Sequence, residues 1–546
     1  MDLFGIGVGR GVAVGAILRM PDPLPEPTIS SRTQGAAEEL AEVHAAVVVV
    51  AAELLARGEK AGGAARDVLE AASLMAQDPT LIDDVSQRIE SGTSGERAVF
   101  EAFGAFEAML TEMGGLMAER ATDLADVSRR IIASLRGVSM PGVPHSETPF
   151  ILVAPDLAPA DTALLDLDRV LGLITSDGGP TSHTAILARS KSIPALVGVA
   201  GALDLLDGTI VIADAAAGTV RVSPNEQELA EAHQRIAARA AEATAPITDG
   251  VLADGTKVPL LANLGSPKEA AAAVKLGAEG VGLFRTEFLF LDSTSAPTVD
   301  QQRVQYSELL SHFPGKKVVV RALDAGADKP LSFLNNAIEA NPALGLRGLR
   351  ALRASENILR DQLTALALAE SENQAELWVM APMVSDAEET EYFVHLGREL
   401  GLKVVGVMAE VPSLAVLADQ VLETADFLSV GTNDLTQYAL AADRMLGSVA
   451  NFQDPWHPAV LRLIKMIGDA GAASNKPVGI CGEAAADPEL AVVLVGLGAT
   501  TLSMTPAALA DVRAELGRFT LAQAREKAHA ALSARTAAGA RAAATS

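Results

Sequence analysis

The chain reads as a multidomain α/β protein: an α/β domain carrying an inserted helical bundle, followed by a (β/α)8 barrel of the TIM type. Three observations predict this. Glycine-broken β-type runs at 3–18 and apolar runs after residue 150 flank a long stretch, about 31–137, dominated by Ala, Leu, Glu and Arg. From about residue 250, strand-like and helix-like segments alternate, and eight such units in ~290 residues fit a barrel. A length of 546 residues exceeds what one hydrophobic core can fill.

Taken in order, residues 3–18 are short strands broken by glycines. Their Gly-Ile-Gly-Val-Gly-Arg-Gly spacing is superficially that of a dinucleotide loop, but no acidic ribose partner or following helix accompanies it, so tight β turns explain it better. Pro21, Pro23, Pro25 and Pro27 mark a linker. Helices are expected at 36–57 and 64–77, the latter stopped at Asp78-Pro79. Another follows with Leu81, Ile82 and Val85 on one face, and a long segment, 96–135, is interrupted at Gly114-Gly115. Strands resume at 150–154, 170–174, 195–199, 209–214 and 219–222, with a turn at 156–161 leading into a short helix. Residues 225–243 read as a connecting helix. Barrel strands are expected at 258–263, 280–284, 317–321, 344–349, 377–381, 403–408, 427–430 and 477–480, and the Ala-rich tail 522–546 as a helix fraying into disorder. The domains are then 1–20 with 143–223, 28–140, a linker at 224–248, and 249–546.

Composition limits the function. Net charge is −26, which argues against nucleic acid or an anionic membrane as partner. One cysteine permits no internal disulfide and fits a reducing, cytoplasmic setting. No signal peptide is evident, and the most apolar window, 45–52, is far short of the ~20 residues that span a bilayer.

Chemistry concentrates in two places. In Ser176-Asp177-Gly178-Gly179-Pro180-Thr181-Ser182-His183-Thr184, a Gly-rich turn follows a buried strand and opens a helix, so backbone N–H groups and the helix dipole favour a phosphate there. A neutral His183 in such a cup is a nucleophile whose phosphohistidine those donors would hold; the structural alternative is a histidine that caps the helix. In the barrel, ionisable residues fall at the strand C-termini, where barrel enzymes build active sites. They are Arg285 and Glu287 after the second strand, Arg321 and Asp324 at the third, Glu410 at the sixth, Asn433 and Asp434 at the seventh, and Cys481 and Glu483 at the eighth. Arg285, Arg321 and Arg444 suit a small anion carrying phosphate and carboxylate groups, with Lys329 as a further charge. Glu410 and Asp434 are hard oxygen donors suited to Mg²⁺ together with substrate oxygens. Cys481 is either an inert buried thiol or a proton donor or nucleophile.

At these residues the sequence resembles the phosphoenolpyruvate-utilising enzymes. Gly178 to Arg189 is similar to their phosphohistidine signature, and Asp426-Phe-Leu-Ser-Val-Gly-Thr-Asn-Asp-Leu-Thr-Gln437 to their second signature, in the barrel. The domain order resembles the Enzyme I family of the bacterial sugar phosphotransferase system over essentially the whole chain. The resemblance implies that His183 takes a phosphoryl group from phosphoenolpyruvate on Nε2 and passes it to a histidine of the phosphocarrier HPr, docked on the helical insert. It implies that Arg285 and Arg321 hold the substrate phosphate and Arg444 its carboxylate, with Asn433, Asp434, Lys329 and Arg347 completing the substrate set. Glu410 and Asp434 would ligate Mg²⁺, and Cys481 would protonate the enolate carbon as pyruvate forms. It further implies a homodimer through the barrel and a swivelling histidine domain, with hinges near 21–27, 138–149 and the connecting helix. Two positions depart from the family pattern: Ala327 stands where relatives carry a second Gly, and 69–78 holds small residues where relatives often carry His or Gln. An ATP-dependent dikinase would need a nucleotide-binding domain, and no stretch supplies one. A silent phospho-binding scaffold would not need the intact Arg285, Arg321, Glu410, Asp434 and Cys481, and a barrel lyase leaves His183 unexplained.

Overall fold

The computed structural model describes the chain except residues 1, 10, 22–23, 62, 114, 139–142, 145, 158–164, 167–168, 180–181, 183, 186–187, 189–192, 245–246, 291–294, 327–330, 332, 335–338, 445, 447–448, 450–451 and 546. It divides into two units, Met1–Arg239 and Ala240–Ser546, and the helix Glu226–Thr244 runs through the division.

The first unit contains an eight-stranded mixed sheet. Its strands are β1 (Asp2–Phe4), β2 (Ile6–Val8), β3 (Val12–Arg19), β4 (Phe150–Ala154), β5 (Val170–Thr175), β6 (Ala195–Val197), β7 (Ile210–Asp214) and β8 (Thr219–Val222), in the order β1-β8-β7-β3-β4-β5-β6-β2. The central β4 is apolar throughout because it is covered on both faces. Phe150, Leu152 and Ala154 enter one core and Ile151 and Val153 the other, following the two-residue period of a strand. The N-terminal glycines serve close backbone packing: a Cβ on Gly7 would fall 1.7 Å from the Ala215 carbonyl oxygen. Between β3 and β4 lie five helices, Ala36–Ala61, Gly63–Ala76, Pro79–Glu90, Gly95–Met113 and Gly115–Leu135. Their core includes Val43, Leu54, Leu69, Val85, Phe103 and Ile131. Asp78-Pro79 does more than stop a helix. It starts the next, with Pro79 in the first turn and the Asp78 carboxylate accepting from the Thr80 N–H at 2.8 Å. Residues 158–161 of the expected short helix lie outside the described residues.

The second unit is a closed parallel barrel of β9 (Leu260–Leu264), β10 (Val281–Phe284), β11 (Lys317–Arg321), β12 (Glu376–Ala381), β13 (Val405–Ala409), β14 (Leu428–Val430), β15 (Val478–Ile480) and β16 (Thr501–Met504). One expected strand is wrong. Residues 344–349 form no strand: a short turn of helix ends at Leu344, Gly348 sits at φ 58° against Met383, and the helix Leu349–Ala354 begins. The eighth strand is instead β16, which pairs with β9 and closes the barrel. Glu410 therefore follows the fifth strand, Asn433 and Asp434 the sixth, and Cys481 and Glu483 the seventh.

The Ala-rich tail is also not frayed. It forms the helices Leu521–Leu532 and Ala537–Thr545 and buries Ala524, Ala528, Ala531, Ala540 and Ala544. Gly496 lets the backbones meet there: a Cβ on it would lie 2.1 Å from the Ala524 carbonyl oxygen. Among the described residues no helix is long and apolar enough to cross a membrane.

Candidate active site at the barrel mouth and the loop around residue 183

The C-terminal ends of the barrel strands surround a cavity of about 310 Å3. Arg285, Arg321, Arg347, Glu410, Asn433, Asp434, Arg444 and Cys481 all line it. Sequence spacing puts Arg285, Arg321, Glu410, Asn433, Asp434 and Cys481 at strand ends, and the barrel brings them together with Arg347 and Arg444. Lys329 lies outside the described residues.

The charges are organised before any ligand arrives. Arg321, only 7% exposed, ends β11 and pairs with Glu287 and, at 3.2 Å, with Asp324. Arg347, 2% exposed, bridges two carboxylates: it lies 3.0 Å from Asp324 and 3.2 Å from Asp434, and also donates to the Tyr438 hydroxyl. Burial alone would lower its pKa, but the two carboxylates outweigh that and raise it. Arg444 approaches Asp434 at 3.7 Å from a half-buried position. Arg285 is exposed. Among the described residues Arg285 thus pairs with no carboxylate at the mouth, while Arg321 and Arg444 are held.

Glu410 sits at 1% exposure and accepts from the Met383 N–H at 2.7 Å. Its carboxyl is pushed up to about 8, first by burial and then by repulsion from Asp434 and Asp324. Gly431 lets it stand there, because a Cβ at that position would fall 2.7 Å from Glu410 Oε2. Among the described residues no group of three His, Cys, Asp or Glu side chains could hold a metal unaided. Glu410 and Asp434 nevertheless present two hard oxygen donors in one cavity, and a cation would relieve their repulsion. That donor set fits an ion that keeps water and substrate oxygens in its shell.

Cys481 is 2% exposed, and its thiol donates to the Val430 carbonyl at 3.4 Å. Burial pushes it up to about 11, so it holds its proton at neutral pH. Asn433 accepts from the Glu483 N–H at 3.0 Å, which ties the loop after β14 to the loop after β15. Spacing did not point to Leu283, Phe288, Met408 or Tyr438. They carry no charge pattern, and only the closed barrel shows that the first three line the cavity.

His183 lies outside the described residues, but its surroundings are ordered by the local sequence. β5 runs into Thr175, whose hydroxyl donates to the Asp177 carbonyl at 2.8 Å. Gly178 takes φ 86°, a conformation open to glycine, against Ser182. The Ser182 hydroxyl accepts from the Ala185 N–H at 3.3 Å. Thr184 is fully buried and donates to Asp156 at 2.6 Å while accepting from the Leu157 N–H at 3.2 Å.

Comparison with known proteins gives three family matches: PEP-utilising enzyme, N-terminal, over residues 4–120; mobile domain, over 146–218; and PEP-binding domain, over 239–521. The chain is 51% identical to the phosphoenolpyruvate-protein phosphotransferase of Streptomyces coelicolor, over 99% of this chain and 98% of that one. It is 41% identical to the protein of the same name from Haloferax volcanii, over 88% and 86% of the two chains. A multiphosphoryl transfer protein of Rhodobacter capsulatus is 41% identical over 84% of this chain and 57% of its own length.

Proposed function

Because the chain belongs to the family of PEP-utilising enzymes, we propose that it transfers the phosphoryl group of phosphoenolpyruvate to its own His183 and then to a histidine of the phosphocarrier protein HPr, releasing pyruvate. This is the first step of the sugar phosphotransferase system. One observation supports the reading: a single cavity gathers the arginines, the Glu410 and Asp434 carboxyls and a protonated thiol, the groups that dephosphorylating an enol phosphate requires.

Phosphoryl transfer depends mostly on positioning and on neutralising charge. Arg285 and Arg321 would hold the phosphate, Arg444 the carboxylate, and Asn433, Asp434 and Lys329 the remaining polar atoms. Arg347 orients Asp434 and Asp324 from behind. Glu410 and Asp434 would hold Mg²⁺, which when bound supplies charge neutralisation at the phosphate. Loss of the phosphoryl group leaves the enolate of pyruvate. Cys481 Sγ–H donates to its methylene carbon, and the thiol's high pKa keeps that proton in place until the carbanionic carbon is formed. His183 attacks as the neutral imidazole, available at neutral pH for an ordinary histidine pKa of ~6.5.

The domain assignment follows: 1–20 with 143–223 as the swivelling phosphohistidine domain, 28–140 as the HPr-binding insert, 224–248 as linker, and 249–546 as the phosphoenolpyruvate-binding and dimerising barrel, in the cytoplasm. The test is incubation with labelled phosphoenolpyruvate and Mg²⁺, comparing wild type with His183→Ala. The expected result is acid-labile, base-stable label on the wild type only. Label that persists in the variant defeats the assignment.

A further inference from the structure

Under the function proposed above, on which this inference rests, each turnover leaves a buried thiolate at Cys481, and its proton must be replaced. The barrel interior beneath it offers a route. Ser429 on β14 lies level with Gly479 on β15, one layer below Cys481. It is 4% exposed, and its Oγ stands 3.9 Å from where a Cβ on Gly479, two residues before Cys481, would fall. Below it is a cavity of about 20 Å3, lined by Ser429, Thr501, Ser503 and Lys317 together with apolar side chains such as Val319, Trp378 and Phe427. That is room for one water among polar partners.

Two glycines keep this space open. A Cβ on Gly282 would fall 2.4 Å from the Ser503 Cβ, and one on Gly479 would fall 2.9 Å from Thr501 Oγ1. Lys317 opens β11, so it stands at the N-terminal end of the barrel, half-buried, with Nζ 3.6 Å from the centre of the Trp378 ring. Burial pulls its ammonium down to about 8, against the opposing charge of Glu376, so it can give and regain a proton near neutrality. The charged groups facing the thiol are Glu410, Arg321 and Arg285, all on the mouth side.

We propose that Ser429 and Lys317, with one water in the cavity between them, form a proton relay that reloads Cys481 from solvent at the N-terminal end of the barrel, opposite the substrate mouth. As the S–H bond breaks and the new C–H bond of pyruvate forms, the thiolate takes the Ser429 hydroxyl proton. Ser429 takes one from the water, the water takes one from the Lys317 ammonium, and the amine regains one from solvent. One proton enters from solvent and one leaves in the pyruvate methyl group.

The experiment uses the full chain with phosphoenolpyruvate, Mg²⁺ and pyruvate labelled both with carbon isotope and with methyl deuterium. Carbon exchange between pyruvate and phosphoenolpyruvate needs only back-and-forth proton transfer at Cys481. Deuterium washout into water also needs the thiol to exchange with solvent. Ser429→Ala and Lys317→Met are expected to lower the ratio of washout to carbon exchange about tenfold, a modest share of what positioned proton transfer contributes, while Ser429→Thr restores it. An unchanged ratio in both variants means that the thiol reloads through the mouth and overturns the relay. A parallel fall in both rates, leaving the ratio intact, makes Ser429 merely structural and overturns it too. Should Ser429→Ala fail to fold, Lys317→Met at the far end carries the test. Absence of carbon exchange in the wild type overturns the phosphotransfer reading and the relay with it, whereas loss of the ratio effect alone leaves that reading standing.

Discussion

The barrel mouth and the loop at 176–185 both handle a phosphoryl group under the proposed function, yet they are built from opposite materials. At the mouth, buried arginines and carboxylates pair with one another: Arg321 with Glu287 and Asp324, Arg347 with Asp324 and Asp434. In the loop, the described contacts are made by hydroxyls, to backbone and to one carboxylate: Thr175 to Asp177, Ser182 to Ala185, Thr184 to Asp156. Charge held rigidly in a desolvated cavity stabilises a transition state. Neutral donors hold a phosphoryl group without opposing its departure. The site that breaks the bond is charged, and the site that carries the group onward is mild.

Substitutions can break this contrast or sharpen it. The largest effect is expected at Cys481→Ser. Loss of the proton donor should slow pyruvate formation by about 10²–10⁴-fold in a rapid-quench assay, with phosphoenolpyruvate binding retained. Next comes Arg347→Ala, which leaves Asp324 and Asp434 facing each other in the buried mouth. Breaking a buried pair in this way costs about 3–5 kcal/mol, read as a lower denaturation midpoint of the barrel transition.

The third prediction is a pH dependence. Glu410 has a folded pKa above its unfolded value, so the native barrel keeps a proton that the unfolded chain releases between 4.5 and about 8. Stability of the metal-free protein should therefore fall as pH rises through that window, and the fall should shrink in Glu410→Gln. Mg²⁺ affinity should rise over the same range, since the ion requires the carboxylate; calorimetric titration at pH 6 and pH 8 checks it. The smallest effect is expected in the loop. Thr184→Val removes one buried hydroxyl contact with Asp156 and should cost about 1 kcal/mol of stability in the first unit by thermal melting. A loss there as large as that of Arg347→Ala would erase the contrast.

How much of this was legible in the sequence depended on what faced inward. Strands such as 150–154 and 317–321 read correctly because their buried faces are apolar. β16, Thr-Leu-Ser-Met, did not, since Thr501 and Ser503 line a polar spot inside the barrel and give the strand no continuous apolar run. Residues 344–349 misled for the opposite reason: Leu344 and Leu346 supply an alternating apolar pattern but stand 65% and 42% exposed. The tail misled because alanines that read as weak surface helix are packed tightly against the barrel helices. At the site, charged residue types at strand ends were legible. The pairing of Arg347 with two aspartates was not, because it depends on the turn at 345–348 just ahead of the helix Leu349–Ala354.

The adjacency of β3 and β4 has a consequence for chain entropy. They are parallel neighbours, registered from Ala16 opposite Phe150 to Arg19 opposite Val153, and the whole helical bundle is the crossover between them. To the sheet, the bundle is one closed loop of roughly 130 residues. Closure entropy grows only logarithmically, at about 0.6 kcal/mol per doubling, so exchanging the bundle for a crossover of about 15 residues changes the closure term by only about 2 kcal/mol. In polymer terms, the sheet is nearly indifferent to what hangs between those two strands, and the bundle could be lengthened, shortened or exchanged with little change in what it costs to close the loop.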